Sequence, residues 1–515
     1  MNTFLISGFY SEFQTNLLIR VFDKYKNNRI KIWVNTNFNF DLINKNIQNI
    51  ELFDYHDCIR GINKFNNQNG KKDFSGLLKF ANQYSDIFIK MYDRFDPNHQ
   101  YNNKYKLDHF QYLLKNWSTK IKDQKINRVL FYANPHVLYD FAIYVICKYY
   151  KIKIIIQEDS KYFSTIFFIH DIENLSKIGK KFKRIIFKKN LKKIKNLIDS
   201  YKTFSVEKYI GNIDFFANAY KKNDSSYFKI FYWAFLRPFI NYNFNLFKIY
   251  NFFFKRQKSA IWNYSSFPYY NLKSLPTCFQ DQFYYFKKKF KLDLLKKQLS
   301  RLVVEPNLQK NYVVFYDSVI PEKNIVPDAV CFYDTKKLLN NIINFLPKDW
   351  IIYYKEHPKA HKLVLDTHLG KKHNYYEGIS KIPKVFIINQ DFDKEKLLKY
   401  SKFSITKTGE IGIQSVINGI PTLNCGHAWY SSCPGVIHVK NYKYLRSCIN
   451  RVIKIKKINR NDVYYFLNDI IKNGLDFTYL NINLQWNDYK SFVKKKGFNK
   501  FFKKLVNNYK KKLPV

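Results

Sequence analysis

The sequence predicts an α/β fold with two doubly wound domains and a helical, aromatic-rich insertion between them. Short apolar strands alternate with helices over residues 1–176, and the same alternation returns over residues 305–455. This alternation is typical of parallel sheets that carry helices on both faces. The 515 residues, 46% of them hydrophobic, are enough for two or three packed domains.

The first predicted domain begins with a strand at Thr3–Gly8, which a helix containing Leu17, Leu18 and Val21 follows. Its other predicted elements are strands at Ile30–Val34, Val129–Ala133 and Lys153–Ile156, and helices over 78–120 and Leu138–Tyr150. The last strand is expected to end at Gln157–Ser160.

The second predicted domain has the same pattern of alternation. Its strands are predicted at Tyr312–Tyr316, Ile351–Tyr354, Val385–Ile388, Phe403–Thr406 and Pro421–Leu423, and its helices at Lys336–Phe345, Lys394–Tyr400 and Gly412–Asn418. Gly419 is expected to close the last of these helices. Residues 456–515 are predicted to form a Lys-rich helical tail, with a helix over Phe492–Lys512.

The predicted insertion, residues 177–304, has a different composition. Lys180–Lys195 is a basic amphipathic stretch, and Phe228–Phe254 is dense in Phe, Tyr and Trp, with Arg237 and Lys248 interspersed. In one interpretation these aromatic side chains pack into a helical core. In the other they form a membrane-surface face, with rings at headgroup level and Lys side chains that reach anionic lipid.

The formal net charge of +48 raises the possibility of a nucleic-acid-binding protein. The basic residues are spread along the chain, and Asn, Ile, Tyr, Phe and Lys are abundant throughout, as the codons of an AT-rich genome produce. We therefore expect no specific nucleic-acid partner. A diffuse positive surface instead favours smaller anions, including nucleotide-sugars, acidic glycans and lipid headgroups.

The cysteines and the N-terminus predict a cytoplasmic protein. The seven Cys are odd in number and form no CxxC pair, which suggests neither a zinc site nor a disulfide framework. Met1–Tyr10 lacks the basic and long apolar regions of a signal peptide, and no 18-residue stretch is free of charge or strong polarity. We expect a soluble protein, or one peripheral on the inner face of the cytoplasmic membrane.

Polar residues follow two predicted strands of the second domain. Lys355 and His357 lie in Lys-Glu-His-Pro directly after one strand, where both side chains can donate to a phosphate. Thr408 and Gly409 lie where a later strand gives way to a helix, a place where backbone N–H groups bind anions. The alternatives are a surface turn for the first group and an ordinary N-capped helix for the second.

Further candidates lie in a loop and in the first domain. Trp429 and Tyr430, on a Gly-flanked loop, can stack on a base or sugar, or can pack only within their own loop. Glu158 and Asp159 are a carboxylate pair suited to general base, nucleophile or oxocarbenium-stabilising chemistry, or to a solvated strand end. His136 lies at a strand-to-helix turn, where it can also serve as a helix cap.

In their order, these motifs carry a resemblance. The segment Tyr312–Val436 resembles the capsule polysaccharide synthesis family, which includes bacterial Kdo transferases of capsule export systems. Its matching motifs are Pro321-Glu322, Pro347–Trp350, the K-x-H-P of Lys355–Pro358, the G-x-P of Gly419–Pro421, and the G-x-x-W-Y-x-x-x-P-G loop of Gly426–Gly435. Glu322 and His427 become possible site residues through these motifs.

The resemblance implies a GT-B-like fold, two Rossmann-type domains facing a cleft, and a metal-independent glycosyltransferase with no cofactor. Such an enzyme moves a sugar from a nucleotide-activated donor, in a CMP-linked form for related Kdo and sialic acid transferases, to a capsule or lipopolysaccharide acceptor. The implied donor-binding residues are Lys355, His357, Thr408, Gly409, Gln414, Trp429 and Tyr430, with Asp159 or Glu158 catalytic. The alternative is a non-catalytic, membrane-peripheral assembly or export factor that keeps the fold.

Two residues depart from the family pattern at the helix start. The second Thr of the family's T-G-T-x-G-x-E-A motif is Glu410 here, and its Glu is Gln414. An acidic residue at the latter place usually holds the ribose of the nucleotide. Gln414 can hydrogen-bond there only without charge, which leaves an altered donor specificity or a loss of activity as open interpretations.

Overall fold

The computed structural model describes residues 2–23, 28–60, 73–96, 101–160, 165–179, 227–241, 243–254, 278–358, 360–362, 367–371, 373–476 and 498–514. The chain forms two compact units. Unit 1 comprises residues 1–171, 235–282 and 474–515, and unit 2 comprises residues 172–234 and 283–473.

Unit 1 is built on a seven-stranded sheet with the strand order β13-β6-β5-β4-β1-β2-β3. The strands are β1 (Asn2–Ser7), β2 (Asn28–Asn35), β3 (Glu51–Asp54), β4 (Arg128–Phe131), β5 (Lys153–Ser160), β6 (Thr165–Ile169) and β13 (Leu475–Asp476). The pairs from β3 through β1 to β5 are parallel, whereas β5–β6 and β6–β13 are antiparallel. The sheet order reverses between β1 and β4, which makes this the switch point of a doubly wound sheet.

Helices flank this sheet. They are α1 (Glu12–Asp23), α2 (Phe40–Asn46), α3 (Tyr55–Arg60), α4 (Ser75–Ala81), α5 (Ser85–Tyr92), α6 (Asn103–Asp123) and α7 (Leu138–Tyr150). The predicted helices after β1 and over Leu138–Tyr150 are present, the predicted region 78–120 is divided among three helices, and α2 and α3 were not predicted. Side chains define two of the starts: the Asn102 carboxamide accepts from Tyr105 N at 2.9 Å, and the Asp140 carboxylate accepts from Val137 N at 2.9 Å. These bonds satisfy N–H groups that lack a partner inside the helix.

Strand β5 includes all of Gln157–Ser160, the residues at which the predicted strand Lys153–Ile156 is expected to end. The strand continues to Ser160, because Gln157–Ser160 pairs antiparallel with Thr165–Phe168 of β6. Glu158 and Asp159 therefore lie within a strand pair, not at a free strand end. Adjacent strand residues point to opposite faces of a sheet, so these two carboxylates do not act as one pair.

The C-terminal residues return to unit 1. Strand β13 pairs with β6, and helix α19 (Phe498–Lys512) confirms the predicted Lys-rich helix. Leu505, Val506 and Tyr509 belong to the same hydrophobic core as β1 and α1. The boundary predicted at 456 is therefore wrong, since residues up to Asn473 belong to unit 2 and those beyond it to unit 1.

The aromatic segment is helical, as predicted, but it does not form one insertion. Its described elements are α8 (Tyr227–Phe231), a π-helix (Tyr232–Leu236), α9 (Arg237–Asn241) and α10 (Leu246–Phe254). Residues 227–234 belong to unit 2 and residues 235–254 to unit 1. The interpretation that all of these aromatics are packed in a core is wrong, because several large side chains are exposed. The predicted amphipathic stretch Lys180–Lys195 lies outside the described residues.

Unit 2 contains a six-stranded, fully parallel sheet with the order β12-β11-β10-β7-β8-β9. The strands are β7 (Tyr312–Tyr316), β8 (Ile351–Lys355), β9 (Val385–Ile388), β10 (Ser404–Thr406), β11 (Thr422–Asn424) and β12 (Val436–His438). Every residue of β7 and β8 is buried, as expected for central strands with helices on both faces. The switch point of this sheet lies between β7 and β10.

The helices of unit 2 complete the second Rossmann-type layer. They are α11 (Cys278–Leu302, of which residues 283–302 belong to unit 2), α12 (Thr335–Ile343), α13 (Thr367–Gly370), α14 (Tyr375–Ser380), α15 (Lys394–Lys399), α16 (Ile411–Ile417), α17 (Leu445–Ile453) and α18 (Arg460–Asn473). Asp334 and Asp393 cap α12 and α15, through bonds of 3.0 Å from Lys337 N and 2.8 Å from Glu395 N. Gly419 ends α16 with a φ of 86°, as predicted from its position.

The two sheets, each with flanking helices, confirm the predicted α/β architecture of two Rossmann-type domains. The core of unit 2 includes Val313, Phe315 and Ile352 from the central strands and Leu338 from α12. Burial of each such side chain contributes about 1.5–3 kcal/mol. No helix among the described residues is long and apolar enough to cross a membrane.

The packing of α19 can be tested at Tyr509, which is fully buried. Its ring lies 5.2 Å from that of Phe168, and its hydroxyl donates to Gln157 Oε1 at 2.7 Å. Tyr509→Ala is expected to lower the free energy of unfolding by about 3–5 kcal/mol, since it empties a packed site. Tyr509→Phe should lower it by about 1–3 kcal/mol, because Gln157 Oε1 loses its donor.

Urea denaturation measures both changes. The matched control is Lys511→Ala on the exposed face of the same helix, expected to stay within about 0.5 kcal/mol of the wild type. A Tyr509→Ala variant as stable as Lys511→Ala would contradict the docking of α19 on unit 1.

Candidate functional site

The candidate site of unit 2 lies at the carboxyl ends of its central strands. Asp317 directly follows β7, Glu356 follows β8, and Lys407 follows β10. In doubly wound sheets, ligands bind outside this edge, at the switch point. Asp317 and Lys407 follow the two strands that border the switch point, so this edge of the sheet carries charged side chains.

Asp317 is buried and meets two ammonium groups and two phenol hydroxyls. Its carboxylate oxygens lie 3.4 Å from both Lys371 Nζ and Lys407 Nζ. Tyr354 and Tyr375 each donate a hydroxyl hydrogen bond to Oδ2, at 2.7 Å and 2.8 Å. These four contacts compensate a carboxylate that would otherwise be costly to bury.

Glu356 is the second buried carboxylate of this cluster. Lys371 Nζ forms an ion pair with its Oε2. Tyr376 donates to the same oxygen at 2.5 Å, and Oε1 accepts from His357 N at 2.7 Å. The Tyr354 hydroxyl lies 3.0 Å from Oε2 and shares its single proton between this oxygen and Asp317 Oδ2. Glu356 therefore connects the buried cluster to the backbone of the predicted phosphate-binding His.

Asp317, Glu356, Lys371 and Lys407 together form what we call the ion network. It contains two carboxylates and two ammonium groups, and all four side chains are fully buried. Burial raises the pKa of Asp317, but Lys407, Lys371 and the tyrosine hydroxyls outweigh it and hold that pKa below its ordinary value. Burial lowers the pKa of Lys407, and Asp317 offsets part of that effect.

The structure places Lys355 and His357 on either side of Glu356, at the end of β8. Lys355 is buried, and its ammonium donates to the backbone carbonyls of Asn389 and Gln390 in the loop after β9. His357 is half-buried. The side chain of Lys355 therefore contacts the loop after β9, whereas that of Glu356 belongs to the ion network.

Thr408, Gly409 and Tyr430 are brought together at the start of α16. Thr408 Oγ1 donates to Asn324 O at 2.6 Å, and Gly409 N donates to Thr406 Oγ1 at 3.1 Å. The Tyr430 hydroxyl donates to Gly409 O. Tyr430 is fully buried, so the prediction that its ring stacks on a base or sugar is wrong. Its position instead fixes the carbonyl of Gly409.

The close packing of Tyr430 explains a glycine inside α16. A Cβ atom on Gly412 would lie 2.7 Å from the Tyr430 ring and hydroxyl, closer than such atoms approach. Glycine at this position lets the loop that carries Tyr430 pack directly on the helix. The G-x-x-W-Y loop and the T-G-E-I-G helix start are therefore one packed unit.

The two departures from the family motif have defined surroundings. Gln414 is half-buried, and its Oε1 accepts from Lys394 Nζ at 2.9 Å. Glu410 precedes the first residue of α16 and is half-buried. An acidic group at that end is favourable with the helix dipole. Lys394 thus adds a cation beside Gln414 that sequence reasoning did not select.

The remaining candidates of unit 2 lie near the same edge. Trp429 is largely buried, and its ring packs at 88° to that of Tyr430, with centroids 5.5 Å apart. His427 N donates to Asp328 O at 2.8 Å, and the His427 ring lies 5.4 Å from that of His438. Glu322 is half-buried, and its carbonyl accepts from Ile325 N and Val326 N in a turn.

The candidates of unit 1 are arranged around the end of β4. Glu158 is buried, and its Oε1 accepts from Asn134 N at 2.6 Å, just after that strand. Asp159 is half-buried. His136 Nδ1 lies 2.7 Å from Asn134 O, while Val137, not His136, precedes α7 as its capping residue. Glu158 therefore has a local structural role that Asp159 lacks.

Sequence reasoning missed Asp317, Lys371 and Glu356 as members of one cluster. A signal existed for Asp317, Glu356 and Lys407, because Asp317 and Lys407 directly follow predicted strands and Glu356 is the second residue after the predicted strand Ile351–Tyr354. No comparable signal existed for Lys371. It directly follows the short helix α13 and reaches the cluster from there. Among the described residues, no group of three or more His, Cys, Asp and Glu is arranged to hold a metal ion.

The ion network predicts a strong effect of removing one charge. Lys371→Met is expected to lower the free energy of unfolding by about 3–5 kcal/mol, because it leaves two buried carboxylates with one ammonium group. Adding Glu356→Gln to this variant should recover part of the loss, since the Asp317–Lys407 pair remains balanced. Denaturant unfolding of the single and double variants measures both effects.

Lys440→Met is the matched control in the same unit. Lys440 forms an ion pair of 2.9 Å with Glu173, but both side chains are about half exposed. Its loss should change stability by no more than about 1 kcal/mol. Equal effects of Lys371→Met and Lys440→Met would contradict a buried, charge-balanced network.

The chain is similar in sequence to one family and in fold to several solved structures. A sequence model of a family described as capsule polysaccharide biosynthesis protein matches residues 255–446. No curated protein matches the chain. Among solved structures, the chain is similar to the beta Kdo 2,7 transferase KpsC of Thermosulfurimonas dismutans, with 15% identity, coverage of 38% of this chain and 68% of that chain, and a TM-score of 0.22.

Two other solved structures are similar over most of their length. One is a UDP-GlcNAc 2-epimerase from Methanocaldococcus jannaschii, with 11% identity, coverage of 92% of this chain and 100% of that chain, and a TM-score of 0.24. The other is a glycosyltransferase from Rickettsia africae, with 11% identity, coverage of 99% of both chains, and a TM-score of 0.24. The family match spans all six strands of the unit 2 sheet, and it confirms the predicted resemblance to the capsule polysaccharide synthesis family over that segment.

Proposed function

We propose that the protein is a glycosyltransferase of capsule or lipopolysaccharide synthesis that uses a nucleotide-activated sugar. The observation that carries this proposal is the family match over residues 255–446, which contains every strand end of the unit 2 site. Unit 2 would bind the donor, because its switch point is the place where doubly wound sheets bind nucleotides. The donor nucleotide is CMP in one form of this proposal, and the acceptor is a glycan or glycolipid.

Lys355 and His357 are the proposed phosphate ligands. An ammonium group has three donors, and two of those on Lys355 go to the carbonyls of Asn389 and Gln390. The third donor and the His357 ring would interact with the donor phosphates. As the glycosidic bond to the nucleotide breaks, charge grows on the phosphate oxygens, and nearby cationic donors stabilise that charge.

The helix start would position the rest of the nucleotide. Gly409 would contact phosphate through its N–H and Thr408 through its hydroxyl, each exchanging its present acceptor, Thr406 Oγ1 or Asn324 O, for a phosphate oxygen. Gln414 would face the ribose. Tyr430 would act indirectly, since its hydroxyl holds the Gly409 carbonyl. Trp429 is 6% exposed and would contact base or sugar through that small remaining surface.

A carboxylate of unit 1 would act on the acceptor hydroxyl or at the anomeric carbon. Of the two candidates, Asp159 suits this role better, because Glu158 is buried and already accepts a hydrogen bond from Asn134 N. The proposed reaction uses no metal ion and no cofactor besides the nucleotide-sugar substrate.

A second candidate function is a non-catalytic, membrane-peripheral factor of capsule assembly or export. It is favoured by one observation: several proposed donor contacts are engaged within the protein. The Thr408 hydroxyl donates to Asn324 O, and Gln414 Oε1 accepts from Lys394. Such a factor would keep the fold without transferring sugar.

A thermal-shift screen against CMP, UDP, GDP and their sugars tests the donor site. A ligand at a hundred times its Kd stabilises the folded state by about 2.7 kcal/mol, so one nucleotide class should raise Tm by several degrees. Calorimetry should then find that His357→Ala weakens binding at least about tenfold, as expected for a lost charge-assisted hydrogen bond. His373→Ala, an exposed His of the same unit, is the control and should bind as the wild type does.

The outcomes separate the two candidate functions. Transfer or hydrolysis of the sugar that goes with the binding nucleotide supports the glycosyltransferase. Nucleotide binding without transfer or hydrolysis favours the assembly factor. If no nucleotide raises Tm, or if His357→Ala and His373→Ala bind the nucleotide equally well, the proposed donor site is wrong.

The proposed role of Lys355 predicts a pH dependence. Burial lowers the pKa of Lys355 to about 8, with Asp391 acting in the opposite direction. Its ammonium therefore loses the proton as pH rises through about 8, and nucleotide affinity should fall roughly tenfold between about pH 7 and 9. Lys355→Arg stays charged in this range, so its Kd should change much less. Calorimetry at both pH values measures this, and equal slopes for the two proteins would exclude Lys355 as a phosphate ligand.

A further inference from the structure

Helices α9 and α10 of unit 1 expose an unusual number of large apolar side chains. We call these side chains the aromatic surface; the exposed fractions are 52% for Ile240, 69% for Phe244, 76% for Leu246, 76% for Phe247 and 62% for Tyr250. Single exposed apolar residues are common on protein surfaces, but adjacent groups of them mark interaction sites.

The exposed side chains belong to a helix that also has a buried face. Ile249 and Phe253, one turn apart on α10, are only 5% and 6% exposed. The Phe253 ring packs near the rings of Phe235 and Phe239, with centroid distances of 6.3 Å and 6.2 Å. One face of α10 is therefore packed against the preceding helical segment of unit 1, and Leu246, Phe247 and Tyr250 lie on the exposed remainder of its circumference.

The sequence around this surface carries charged residues of one sign only. The sequence from Ser225 to Gln280 contains no Asp or Glu. The same stretch contains seven basic residues, which are Lys229, Arg237, Lys248, Lys255, Arg256, Lys258 and Lys273. Lys248 is exposed between Phe247 and Tyr250 on α10. A partner must therefore accept apolar rings and carry negative charge at the same place.

We propose that the aromatic surface binds the interface of an anionic lipid bilayer. Phe and Leu side chains gain free energy when they enter the boundary between headgroups and acyl chains, and Tyr is favourable at headgroup level. Lys248 would remain at the anionic headgroups, each such Lys adding attraction that salt weakens. This binding lies on unit 1 and does not depend on the donor site proposed for unit 2.

Lipid fits better than the other partners considered. A nucleic acid would match the charge. Surfaces that bind single-stranded nucleic acid, however, place cations along the phosphate backbone and aromatic rings that stack on bases, whereas α10 exposes the aliphatic Leu246 beside Phe247. A second copy of this strongly basic chain would bring like charges together.

Vesicle co-sedimentation of the full chain tests the proposal. The vesicles contain phosphatidylglycerol with phosphatidylethanolamine, or phosphatidylcholine alone. The wild type should bind the anionic vesicles at least about tenfold more tightly, and high salt should weaken that binding. The double variant Phe247→Ala with Tyr250→Ala should lose at least about tenfold in affinity, and Lys248→Glu about tenfold.

Phe38→Ala is the matched control, because Phe38 is a 92% exposed aromatic elsewhere in unit 1. It should bind vesicles as the wild type does. Since all substituted side chains are exposed, thermal unfolding and nucleotide-induced shifts should be unchanged, which keeps this test separate from that of the proposed function. Equal vesicle binding by wild type and double variant, or equal binding to both lipid compositions, would overturn the proposal. So would a wild-type dimer that the double variant abolishes while vesicle binding persists.

Discussion

The buried ion network is the interaction on which the unit 2 site depends. Asp317, Glu356 and Lys407 directly follow three strands of the sheet, and Lys371, the residue after α13, joins their side chains. Inside a protein an unpaired charge costs several kcal/mol, so these four groups are stable only when they meet one another. The need for charge balance therefore fixes the strand ends relative to each other.

Hydrogen bonds within and beside the network hold the backbone segments at this edge of the sheet. Glu356 accepts from His357 N, so the backbone of the Lys-Glu-His-Pro turn is held from inside. Lys407 O accepts from Asn424 Nδ2 at 2.5 Å, which ties β10 to β11. Tyr430 holds the next loop through Gly409 O. For the proposed donor site, a backbone held in this way would need little reorganisation on binding, which favours affinity.

Local patterns predicted most of the elements but not the long-range pairings. Leu138–Tyr150 is the helix that its apolar spacing and flanking residues predict, and Gly419 ends α16 as expected. The extension of β5 to Ser160 was not predictable in this way, because it requires β6 as a partner. The return of α19 to unit 1 likewise depends on contacts with α1, distant in sequence. In the same way, Tyr430 stands in a recognisable motif, yet only its burial against Gly412 reveals a structural role.

By itself the sequence determined the two α/β units, the strand ends at which Lys355, His357 and Thr408 lie, and the resemblance of Tyr312–Val436 to a capsule synthesis family. These features depend on periodicity and short motifs, which neighbouring residues specify. Only the tertiary structure decided that Lys371 completes the ion network, that Glu158 supports the Asn134 turn, and that Phe247 and Tyr250 are exposed. The physical reason is that burial and charge pairing depend on which distant segments meet, and a local pattern does not contain that information.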